Sequence, residues 1–107
     1  MTCKSYKTFF DTISNETRLA IIECLQEKPM SVTEICNELD QEQSKISHNL
    51  KCLSGCHLID CEQRGKQRIY SLNKDTMVPL MEIVEKHVKA HCDFEHCPMK
   101  QKEDHHE

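Results

Sequence analysis

Leu39-Asp40-Gln41-Glu42-Gln43-Ser44-Lys45-Ile46-Ser47-His48-Asn49-Leu50-Lys51-Cys52-Leu53 carries the pattern from which the architecture can be read. Ile46, Leu50 and Leu53 recur at helical spacing and form one apolar stripe. The residues between them are short, polar or basic, so the opposite face of this helix belongs in solvent. Asp40 is a suitable N-cap for it, and Gly55 ends it. Just upstream, Ser31-Val32-Thr33-Glu34 has the form of a capping box. It opens a short helix with Val32, Ile35 and Leu39 on one face. Two short helices meeting around Asp40 make a helix-turn-helix candidate.

Toward the C-terminus, Leu58-Ile59-Asp60-Cys61-Glu62 and Gln67-Arg68-Ile69-Tyr70-Ser71-Leu72 flank Arg64-Gly65-Lys66. Two β-prone runs around a glycine-containing turn predict a β-hairpin, which directly after such a helix pair is a wing. Toward the N-terminus, Phe9, Phe10 and Ile13 predict a first helix over Ser5 to Ser14. A second starts at Asn15-Glu16-Thr17, carries Leu19, Ile22 and Leu25, and stops at Lys28-Pro29. A last helix is expected from about Lys74 to Phe94, with Pro79 tolerable in its early turns and a stripe of Leu80, Met81, Val84, Val88 and His91. The expected fold is mainly α with a small β-hairpin, a winged helix-turn-helix in the order ααααββα. Its domain spans residues 1–94, and a Cys- and His-containing tail covers 95–107, where a disordered end is expected.

With 107 residues there is room for one modest core. Pairing through the terminal helices would help complete it, so a homodimer is expected. The N-terminal residues lack the apolar stretch of a signal peptide, and no run approaches the roughly 20 apolar residues of a membrane span. A cytoplasmic protein without membrane attachment is therefore expected. Net charge is −4, yet Gln41 to Tyr70 holds five basic and three acidic residues, leaving that segment at +2 and the remainder at −6. A locally basic stretch on an acidic body is compatible with binding a polyanion through that stretch alone. No Cys-x-x-Cys, no His-Glu-x-x-His and no glycine-rich phosphate loop occurs, and two glycines leave little scope for cradling a nucleotide. An enzyme is not expected. Eight cysteines are many for a reducing compartment, where thiols serve as metal ligands or redox switches more often than as disulfides.

The block from Leu39 to Leu53, with Gly55, the Arg64-Gly65-Lys66 turn and Tyr70-Ser71-Leu72, resembles the ArsR/SmtB family of regulators. Asn15-Glu16-Thr17-Arg18-Leu19 is similar to that family's second-helix signature. The resemblance implies a winged helix-turn-helix homodimer that represses its operator until an inducer binds. Gln43, Ser44, Lys45, Ser47, His48 and Lys51 are then the candidates for reading double-stranded operator DNA, as a recognition helix requires. Arg64, Lys66 and Arg68 would bring the wing to phosphates or a minor groove. The family usually has a histidine just before the leucine of that helix; here Asn49 holds the place and His48 precedes it.

Family members put inducer sites in several places. The arsenic and cadmium type needs Cys-x-Cys where this chain has Ser31-Val32-Thr33, with Cys36 alone nearby. The zinc and cobalt type on the last helix finds Asp75, but Met77 stands where a histidine is expected, and His87 and His91 do not complete the spacing. Cys52-Leu53-Ser54-Gly55-Cys56 fits better: thiols at i and i+4 share a helix face about one turn apart. This is similar to the cadmium- and lead-sensing, CmtR-like branch, which implies a third cysteine from the partner's C-terminal region. Cys97 has the matching separation, and Cys92 competes for the role. Thiolates favour soft ions, cadmium or lead foremost, with zinc, copper(I) and arsenic(III) also within range.

Buried cysteine is a common small core residue, and that is the expectation for Cys24 and Cys36. Cys61, in the wing, and Cys3 remain open. Two alternatives stand beside metal sensing. One is a persulfide- or oxidant-responsive repressor using Cys24 and Cys92, which requires sulfurs within disulfide reach. The other is a DNA-binding protein with no inducer.

Overall fold

Short side chains that compete for backbone hydrogen bonds set the helix starts. A computed structural model of the chain describes residues 5–91. Helix α1 (Tyr6–Ile13) begins where the Ser5 hydroxyl accepts from the Thr8 amide, and α2 (Glu16–Glu27) where the Asn15 side chain accepts from the Arg18 amide. Helix α3 (Val32–Leu39) has the full capping box. Ser31 Oγ accepts from the Glu34 amide at 3.2 Å, and the Ser31 amide donates to Glu34 Oε1 at 2.9 Å.

Asp40 does not cap the next helix. It closes α3 in the left-handed region at φ 53°, its amide donating to the Cys36 carbonyl. Aspartate tolerates that conformation better than most residues, and the reversal frees the chain to start α4 (Gln43–Gly55) three residues later. There Glu42 is the N-cap and makes no side-chain cap bond.

Helix α4 ends at Gly55 as expected, but the left-handed residue that turns the chain is His57, at φ 61°. The Asn73 side chain holds that turn by donating to the His57 carbonyl at 3.0 Å. Strands β2 (Ile59–Arg64) and β3 (Gln67–Leu72) pair antiparallel, Ile59 opposite Leu72 and Arg64 opposite Gln67. Gly65 and Lys66 form the two-residue turn, and Gly65 adopts φ +62°, where a Cβ is strained.

One strand escaped the sequence. Met30–Ser31 is β1, pairing Met30 with Tyr70 and Ser31 with Ile69, so the sheet has three strands in the order β1-β3-β2. It ties the end of α2 to the wing. Helix α5 (Met77–His91) starts three residues later than expected. Asn73 Oδ1 accepts from the amides of Asp75 and Thr76, holding residues 74–76 in a turn. The far end of the expected last helix, to Phe94, lies outside the described residues.

The core gathers Ile21, Ile22, Leu25, Ile35, Ile46, Leu50, Leu53 and Met77 from α2, α3, α4 and α5. Each large aliphatic side chain buried this fully contributes about 1.5–3 kcal/mol. Three residues expected in the stripes are exposed instead, Leu19, Val84 and His91. Leu19 is 37% exposed, while Ile21 faces the core in full. On α5, Met77 and Met81 are buried, whereas Ile83, Val84 and His91 are exposed.

Candidate nucleic-acid interface

Because Ile46, Asn49, Leu50 and Leu53 hold one side of α4 inside, the other side must face solvent. Gln43, Ser44, Lys45, Ser47, His48 and Lys51 are all exposed there, as are Arg64, Lys66 and Arg68 on the wing. Ser47, Lys51 and Ser54 of α4 meet Cys61, Arg68 and Tyr70 of the hairpin across an open groove of about 630 Å³. Lys51 and Arg68 thus face the same groove from different elements. Lys66 and Arg68 also border a second hollow beside the start of α3, with Ser31 and Thr33. Lys45 lies elsewhere, beside Glu16, Thr17 and Gln41. Arg64 is partly engaged, its Nη2 lying 3.3 Å from Glu62 Oε2 in an exposed pair, an arrangement worth little in water.

The face is held still by a polar link that sequence reasoning missed. Asn49, buried, accepts at Oδ1 from Arg18 Nε at 3.1 Å and donates from Nδ2 to the Lys45 carbonyl at 2.9 Å. Arg18 Nη1 also donates to the Thr12 carbonyl at 3.3 Å. One guanidinium therefore fastens α1 and α2 to α4. Asn49 occupies the family's usual histidine place yet looks inward and is no candidate for base readout. The signal was available, since Asn49 lies on the wheel beside Ile46 and Leu53.

The thiols divide by burial, and none of those described is in a disulfide. Cys52 is half-buried on α4, its Sγ 4.0 Å from His48 Nε2. Cys56 is the C-cap residue, one step past the last helical residue, 8% exposed and within the core cluster. Cys24 is likewise a core residue, Cys36 packs partly against the core, and Cys61 is exposed on β2. Burial first, then Glu38, Glu27 and Glu23, push the Cys24 thiol up from its ordinary pKa. That keeps it protonated and a poor nucleophile. Cys3, Cys92 and Cys97 lie outside the described residues, as does the 95–107 tail. Among the described residues, no group of three or more His, Cys, Asp or Glu side chains is arranged to hold a metal ion. No helix there is long and apolar enough to cross a membrane.

A helix-turn-helix followed by a three-stranded wing, with a polar and basic face on its second helix, defines a winged helix-turn-helix protein. Residues 15–60 match the family described as bacterial regulatory protein, arsR family. The HTH-type transcriptional regulator NmtR of Mycobacterium tuberculosis is 29% identical over 70 residues, 65% of this chain. The match covers only 58% of NmtR's length. A second regulator of that organism, Rv2034, is 28% identical over 79 residues, 74% of either chain. Among solved structures, M. tuberculosis Rv0081 superposes with a TM-score of 0.72 at 26% identity, over 78% of this chain and 85% of its own. The homodimeric winged helix-turn-helix DNA-binding domain of Mb0332 from Mycobacterium bovis gives 0.62 at 18% identity, over 85% and 94%. It supports the fold alone. The two curated relatives are transcriptional regulators, which are not enzymes.

Proposed function

We propose that this chain is a cytoplasmic, homodimeric transcriptional repressor that is not an enzyme, holds operator DNA through α4 and the wing, and releases it when a soft metal ion binds at cysteine thiolates. The observation that carries the DNA-binding half is the common groove. Lys51 from α4 and Arg68 from β3 line one open surface, as insertion of a helix into a groove with a flanking wing requires. The apolar side chains left exposed on the terminal helices, Tyr6 and Phe10 of α1 and Ile83 and Val84 of α5, support the dimeric assembly.

The inducer half rests on Cys52, a partly accessible thiol on the helix that would read the bases. The set that the CmtR-like resemblance implies is Cys52, Cys56 and a partner's Cys97 or Cys92. Cys52 suits that set as it stands, while Cys56 would have to leave its place in the core to join. Thiolate donors suit cadmium or lead best, and zinc, copper(I) or arsenic(III) next. Each ligating thiol must lose its proton, so affinity falls as the solution is acidified. Linkage requires that operator DNA weaken metal binding by the factor by which metal weakens DNA binding. Moving the dimer from almost wholly bound to almost wholly released needs about 5.5 kcal/mol of differential affinity. The oxidant-responsive alternative through Cys24 is not favoured, because that thiol is buried and held protonated.

The test is selection of duplexes from a random library by the purified full-length chain. The proposal expects inverted half-sites whose centres lie one helical turn, about 10 base pairs, apart or a multiple of it. Recovery of duplexes with no shared sequence would contradict it.

A further inference from the structure

Residues four apart on an α-helix do not stack in a straight line. Each step of four advances about 40° around the axis, so Cys52 sits round α4 from His48 toward the core, and Cys56 follows as the helix's C-cap. Exposure follows that drift: His48 is exposed, Cys52 half-buried and Cys56 8% exposed in the core. The side chain that meets Cys52 across open surface is therefore His48, with Sγ and Nε2 4.0 Å apart.

We propose that the ion-capturing pair on α4 is the imidazole of His48 with the thiolate of Cys52, and that Cys56 is a packing residue. The inference rests on the metal-responsive reading above and changes its ligand set and its mechanism. Zinc-type bonds of about 2.3 Å to sulfur and 2.0–2.1 Å to nitrogen, at a tetrahedral angle, place the two donors about 3.6 Å apart. Closing from 4.0 Å to that separation asks only for small side-chain rotations. A mixed imidazole and thiolate pair suits zinc or cadmium, and leaves further positions on the ion for water or additional thiols. Capture releases the Cys52 thiol proton to solvent and uses neutral His48. Since His48 stands on the DNA-reading face, the ion occupies a side chain that the operator would otherwise meet. Metal and DNA then compete for one surface, without a movement of the whole helix.

The experiment is a zinc and cadmium titration of the full-length chain, read by thiolate-to-metal charge-transfer absorbance and by competition with a chelator. The wild type should show the band, Cys52→Ser should lose it, and His48→Gln should weaken affinity at least tenfold. Cys56→Ala should stay within threefold of the wild type, with Cys56→Val as the better-packed substitute if the alanine variant unfolds. In the wild type, the ring proton resonances of His48 should shift on metal addition. Loss of binding in the Cys56 variants with wild-type binding in His48→Gln would overturn the pair while leaving a metal sensor. A wild type that takes up neither ion overturns the pair and the metal-responsive reading together.

Discussion

Arg18 and Asn49 are the polar side chains that join α2 to α4. Truncating Asn49 leaves the Arg18 Nε without its acceptor in a partly buried site, and unsatisfied groups of this kind cost about 1–3 kcal/mol. Asn49→Ala should therefore lower the unfolding free energy by that amount, seen as a lower urea midpoint at an unchanged denaturant slope; an unchanged midpoint would mean that the link contributes nothing. That Asn49 faces inward was legible from the helical wheel, but its partner was not. Asn49 follows exposed His48 in sequence, and nothing local says that its partner lies 31 residues upstream. That the six α4 side chains proposed for DNA contact face solvent was legible, because solvent exposure on a helix follows from where the apolar stripe is. The thiols were legible only in part: helical spacing assumed that Cys56 lies within α4, whereas it stands just beyond the end.

Helix α3 owes its start to a reciprocal cap that the four residues Ser31 to Glu34 spell out, and the structure has both bonds. Ser31→Ala should cost about 1 kcal/mol in thermal or urea unfolding. The Ser31 amide, opposed by slight burial and helped by the Ser31 hydroxyl and Lys28, holds the Glu34 carboxyl below the ordinary glutamate range. A depressed folded-state pKa adds stability above the unfolded value and loses it as pH falls through the lower, folded one. Acid titration of stability should thus be shallower in Glu34→Gln than in the wild type below the ordinary glutamate range. In the wing, Lys66→Ala and Arg68→Ala should each reduce the slope of log affinity for duplex DNA against log salt by about 1. Unchanged slopes would remove the wing from the interface. Elements with caps and periodicity were readable from the chain, but β1 was not. Two residues cannot show alternation, and Met30–Ser31 is a strand only because β3 pairs with it.

At the scale of the molecule, apolar surface remains on the two terminal helices: Tyr6 and Phe10 of α1, Ile83 and Val84 of α5. A single chain has no use for it in water, and the expected homodimer would bury it. Ile83→Glu should shift sedimentation toward the monomer and weaken duplex binding, since one half-site then binds alone; a stable dimer would place the interface elsewhere. A long last helix with one apolar face in so small a chain raises the expectation of pairing through the terminal helices, and the apolar side chains exposed on α1 and α5 agree with it. In the proposed function, the helix that reads DNA also carries the thiol that answers the metal. Its most direct test is the shift in duplex dissociation constant on adding cadmium, measured by fluorescence anisotropy for wild type and Cys52→Ser. The wild type should weaken by a large factor, approaching the roughly 10⁴-fold that near-complete release requires, and the variant by almost none. An equal shift in both proteins, or none in the wild type, would contradict it.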